Sequence, residues 1–69
     1  MRTTLFISNM ETEEDVSTIS LRLMPIGGIK YIRADLTNNE LSFDSEKEIE
    51  RTVFEAALAE TSYRIIEIQ

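Results

Sequence analysis

The run Met10-Glu11-Thr12-Glu13-Glu14-Asp15 gathers most of the chemistry this chain can offer: one thioether, one hydroxyl and four carboxylates within six residues. Carboxylate oxygens suit hard cations. Calcium, however, takes about six to eight oxygens from a looping chain, and this run has neither EF-hand spacing nor a glycine turn. Met10 is a soft donor, but one thioether without a second soft ligand makes a weak site, and a methionine here serves more simply to pack loop against core. Thr12 and Asp15 have the spacing of a capping box, in which the hydroxyl accepts from the amide of Asp15 while that carboxylate accepts from the amide of Thr12. Carboxylates in a first helical turn also favour the helix dipole. Met10, Thr12 and Asp15 are thus the candidate metal contacts, with helix capping and core packing as the competing assignment.

The rest of the composition narrows the chemistry further. The chain has 69 residues and no Cys, His or Trp, which removes thiolate nucleophiles, disulfides, thiolate and imidazole metal ligands and histidine acid/base catalysis. No cofactor is expected. Thirteen acidic residues against seven basic ones give a formal charge of −6, a field that repels phosphate backbones and anionic lipid. Arg2-Thr3-Thr4-Leu5-Phe6-Ile7 gives way at once to Ser8-Asn9, so no signal peptide or membrane span is expected and the cytoplasm is the default address.

These residues must be positioned by a small number of elements. A chain this short fits one domain, residues 1–69, and buries only about 60% of its unfolded surface. Thr3 to Ser8 reads as a strand, central in its sheet. Glu13 to Met24 reads as a helix with Val16, Ile19, Ser20 and Leu23 on its inner face, closed by Pro25 and Gly27-Gly28. Ile29 to Leu36 and Leu41 to Phe43 alternate around the polar turn Thr37-Asn38-Asn39 and predict a β-hairpin. Ser45 and Glu48 repeat the capping-box spacing, and Ile49, Val53, Phe54, Ala57 and Leu58 follow as an apolar stripe, predicting a second helix that ends near Glu60. Tyr63 to Ile68 closes the chain as a strand. The order βαββαβ predicts an α+β, ferredoxin-like sandwich: a four-stranded antiparallel sheet with both helices on one face. Leu5 and Ile7 then face the helices, and Phe6 faces the open side with Tyr31 or Arg33 nearby.

The layout and several local strings resemble the heavy-metal-associated domain family, which includes small copper chaperones. There the first strand leads into Gly-Met-x-Cys-x-x-Cys. The corresponding run here is Asn9-Met10-Glu11-Thr12-Glu13-Glu14-Asp15, with Met10 in the place of the family's buried Met and Thr12 and Asp15 where its cysteines stand. Leu23-Met24-Pro25-Ile26-Gly27-Gly28-Ile29 is similar to the family's helix end and strand start, Asp35-Leu36 to its second-strand ending, and Thr61-Ser62-Tyr63 to its Ala-Gly-Tyr. Asn9 and Ser62 replace family glycines. The resemblance implies a copper-chaperone fold without its Cys-x-x-Cys site, and hard oxygen ligands cannot reproduce thiolate affinity for a soft ion.

A second resemblance is to the RNA-recognition motif, whose first strand presents an aromatic as Leu5-Phe6-Ile7-Ser8-Asn9-Met10 would present Phe6. The companion basic, glycine-rich segment is missing: Asn39-Glu40-Leu41-Ser42-Phe43-Asp44 stands in its place, and the seven basic residues are scattered. Nucleic acid is therefore disfavoured as a partner. Tyr31, Tyr63 and the carboxylates form no acid/base pair around a pocket, and Glu55 with Glu48 or Arg51 reads as a solvated helix face, so no enzymatic activity is expected. The expected function is a small non-enzymatic interaction or structural module that meets a protein partner or a second copy through Phe6, Tyr31 and Arg33 or an edge strand. Metal binding through Met10 and Glu11 to Asp15, and single-stranded RNA binding on the open face, are the alternatives.

Overall fold

The computed structural model describes residues 1–69. Its elements are β1 (Arg2–Ser8), α1 (Glu13–Leu23), β2 (Lys30–Asp35), β3 (Glu40–Asp44), α2 (Arg51–Ala57) and β4 (Arg64–Ile68). The strands form one antiparallel sheet in the order β2-β3-β1-β4, so β1 is central as its apolar run predicts. This is the expected ferredoxin-like βαββαβ sandwich. The alternation of β1 and β3 places Leu5, Ile7, Leu41 and Phe43 beneath the helices, where they join Met10, Ile19, Leu23, Phe54 and Leu58 in a single core. The Phe43 and Phe54 rings meet at 5.6 Å between centroids, tilted by 54°, fixing α2 over the sheet.

The start of α2 departs from expectation. Ser45 does not cap a helix: its amide donates to the Met1 carbonyl at 2.7 Å, and its own carbonyl accepts from the terminal ammonium at 2.7 Å. These bonds extend the pairing of β1 with β3 by one residue, and the chain after Ser45 bends at Glu46-Lys47 and runs irregularly to Glu50 instead of entering a helical turn that the hydroxyl could cap. The Ser45 hydroxyl donates to the Lys47 carbonyl, and the helix begins only after Glu50, which supplies no side-chain cap. With the start at Arg51, Phe54, Ala57 and Leu58 face the sheet at three- and four-residue spacing, whereas Val53 turns outward and is 40% exposed. The helix also ends at Ala57 rather than near Glu60, which sits at φ 66° in the following turn.

Both edge strands are irregular. In β2 the register breaks between Lys30 and Arg33 around Tyr31, which adopts φ 58°, an unusual conformation for a bulky residue. In β4 the register shifts opposite Phe6 and Ile7, leaving Ile66 as the extra residue, and Ile66 is 59% exposed.

Candidate functional site

The loop joining β1 to α1 is held by side chains rather than left open. Asn9 adopts φ 68°, a left-handed conformation that asparagine tolerates better than most residues, and its side-chain amide donates to the Ser62 carbonyl at 2.8 Å. Met10 then drops wholly into the core, which places its sulfur out of reach of a solvent ion. Thr12 is the N-cap of α1. Its hydroxyl accepts from the Asp15 amide at 3.1 Å, and one Asp15 oxygen accepts from the amides of Thr12 and Glu11, each at 3.0 Å.

The other Asp15 oxygen accepts from the Tyr63 hydroxyl at 2.6 Å, across 48 residues of sequence. Tyr63 stands just before β4, so this bond ties the start of α1 to the turn that leads into the last strand, close to the point where Asn9 holds Ser62. The cap is legible in the local spacing of Thr12 and Asp15, whereas its partner Tyr63 is not. Tyr63 lay within the family-like Thr61-Ser62-Tyr63 string, yet nothing local in that string points to Asp15.

Each Asp15 oxygen is thus occupied, and no group of three or more His, Cys, Asp or Glu side chains converges anywhere in the fold. Thr12 and Asp15 are brought together, but each side chain accepts from the other's backbone amide, while Met10 points away from both into the core.

This geometry has an electrostatic consequence. The Tyr63 hydroxyl first, and then the Glu11 amide, hold the Asp15 carboxyl at about 2, below its ordinary 3.8. The same hydrogen bond raises the Tyr63 phenol above its ordinary 10.0. A carboxyl depressed in the folded state contributes stability in full above its unfolded value and loses it on acidification, so the Asp15 contribution fades as pH falls from about 4 towards 2. The Tyr63 contribution is present below about pH 10 and lost above it. Urea midpoints measured from pH 5 to 2 should therefore fall more steeply for the wild type than for Tyr63→Phe. Parallel profiles would mean that the hydroxyl does not bond Asp15.

On the open sheet face, strand register decides which residues stand around Phe6. Strand register sets Phe6 opposite Glu40 on β3 and Glu67 on β4, with Asp35 beyond Glu40. Arg33 pairs with Ser42 in the neighbouring row, and Tyr31 lies within the β2 irregularity with Lys30 Nζ 5.7 Å from its ring centre. Phe6 and Arg33 thus stand in adjacent rows of the open face with β3 between them, and Tyr31 is exposed on the edge strand. The ion pairs lie elsewhere, at Arg2–Asp44 (3.3 Å) and Arg51–Glu55 (2.9 Å).

No known protein-family model matches the chain, and no curated protein matches it in sequence. Solved structures do match it. The CopZ metallochaperone is 16% identical and superposes with a TM-score of 0.79 over 96% of this chain and 100% of its own. The CsoZ metallochaperone is 19% identical with a TM-score of 0.74 over 97% of both chains. A heavy metal binding protein from Thermotoga maritima is 19% identical with a TM-score of 0.73, covering 100% of this chain and 97% of its own. The chain has the βαββαβ fold of these metallochaperone and metal-binding domains, and it has no cysteine.

Proposed function

We propose that this chain is a non-enzymatic interaction module of the cytoplasm, built on the metallochaperone fold but with its loop committed to structure rather than to a metal. The observation that carries the reading is the closed bonding of Asp15, which accepts from Thr12, Glu11 and Tyr63 at the start of α1. A cation entering there would have to displace three donors and would find only hard oxygens. A soft ion gains little from such ligands, and a hard one needs more of them than this turn offers. Binding of RNA by Phe6 is opposed by Glu40 and Glu67 beside the ring and by the formal charge of −6.

The test is a titration of the isotopically labelled chain with Cu(I) under anaerobic conditions, Zn²⁺, Ca²⁺ and a short single-stranded RNA, followed by backbone amide NMR near physiological salt. No saturable shifts are expected from Met10 to Asp15 with any metal, or across the sheet with RNA. Micromolar or tighter binding of a metal at the loop, or of RNA at Phe6, would replace this reading with the corresponding alternative.

A further inference from the structure

Each edge strand of the sheet carries one residue more than its neighbour can match. On β2, Lys30 lies opposite Asp44 and Arg33 opposite Ser42, so Tyr31 and Ile32 together face the single residue Phe43. On β4, Ile65 lies opposite Ile7 and Glu67 opposite Phe6, which leaves Ile66 unmatched. Tyr31 and Ile66 are 66% and 59% exposed, whereas Ile32 packs against the core, so Tyr31 and Ile66 are the extra residues. Only Arg33–Asp35 and Glu67–Gln69 remain as uninterrupted stretches of the two edges.

Tyr31 is the costlier of the two. It adopts φ 58°, the conformation for which this kind of bulge uses glycine, and a bulky residue held there carries backbone strain. The fold does not call for it. Without Tyr31, Ile29, Lys30, Ile32 and Arg33 would follow in strict alternation, with Ile29 and Ile32 still on the core and Lys30 and Arg33 still opposite Asp44 and Ser42. What the extra residue changes is the free edge: a bulge bends and twists a strand away from any further strand, and a lysine beside it acts in the same sense. Lys30 Nζ lies 5.7 Å from the Tyr31 ring centre, at the break itself. The β4 edge is closed in a comparable way, by Ile66 and by Arg51 Nη2, which donates to the Ile65 carbonyl at 2.9 Å.

We propose that Tyr31 is an inserted guard residue that keeps the β2 edge from pairing with a second copy of this chain. A regular β2 would be self-complementary. Antiparallel pairing about Arg33 would set Lys30 of each copy opposite Asp35 of the other, two attractive contacts against the single like-charged one at Arg33. The insertion breaks that strand between Lys30 and Arg33 and so removes the match.

The test is deletion of Tyr31 from the whole chain, compared with the unmodified chain and with Tyr31→Gly by sedimentation velocity from micromolar to millimolar concentration. Physiological salt is used, because copies of formal charge −6 repel one another at long range and salt screens that repulsion. The deletion chain should keep a urea midpoint no lower than that of the wild type and should form a dimer, with the amides of Ile32 to Asp35 newly protected from exchange. Its self-association should be tighter by at least about tenfold, the worth of one or two net main-chain hydrogen bonds. Tyr31→Gly retains the bulge and should stay monomeric like the wild type. A deletion chain that unfolds would show that the fold needs the residue, and a folded one that stays monomeric would show that the bulge is not what closes the edge. Dimerisation of the wild type or of Tyr31→Gly through β2 would show that the edge is open with the bulge in place. Any of these results overturns the proposal.

Discussion

Changing Thr12 and Asp15 together to cysteine is expected to give this chain Cu(I) binding that competes with a strong chelator, where the unmodified chain shows none. The two residues are the N-cap and third position of α1, one helical turn apart and turned towards each other. Two thiolates placed there fall within reach of the linear or trigonal geometry that a soft ion accepts. What is missing is ligand chemistry, since the backbone that positions it is already built. The swap also removes the cap, and loss of the Thr12 hydroxyl alone costs about 0.5–2 kcal/mol. Part of that loss should return on loading, because Cu(I) binding only to the folded state stabilises it by mass action. Urea unfolding of the metal-free and loaded variant measures this alongside the anaerobic chelator competition. A folded double-cysteine chain that fails to compete would show that the loop does not present the two positions to a shared ion.

Leu58→Ala should cost about 2–5 kcal/mol of folding stability, because it removes buried apolar contacts and leaves a cavity that the neighbouring elements fill only in part. Leu58 is 2% exposed and follows the last turn of α2, beside Phe54 on the face that covers the sheet. In a chain of 69 residues that is a large share of the whole, since domains of this size are only marginally stable. Denaturant unfolding with an unchanged m-value gives the figure directly. A loss below ~0.5 kcal/mol, the range of a surface substitution, would contradict the placement of this residue.

The order of elements was legible because the polar and apolar periods are clean. β3 alternates strictly, β1 carries the compact apolar run Leu5-Phe6-Ile7, and α1 carries both a capping box and an inner face at helical spacing. The second cap was misread because Ser45 and Glu48 have the same local spacing as Thr12 and Asp15, and spacing carries no information about the terminal ammonium. Ser45 is instead paired with Met1, 44 residues away, at the end of β3. Tyr63 was missed for a similar reason, since its bond to Asp15 joins distant segments. The open face shows a third limit. Alternation turns Phe6 outward, but which residues stand beside it depends on register across three strands and on the irregularity around Tyr31, and these set Glu40 and Glu67 there.

The claim that the β1–α1 loop is closed on itself rests on the Asp15 carboxylate and its three donors, so the most direct test reads that group in the unmodified chain. Following the Asp15 side-chain carboxyl carbon by NMR from pH 6 to 1.5 should give a midpoint of about 2, with Tyr63→Phe moving it upwards. A wild-type midpoint at or above the ordinary 3.8, or one indifferent to the Tyr63 hydroxyl, would contradict the account.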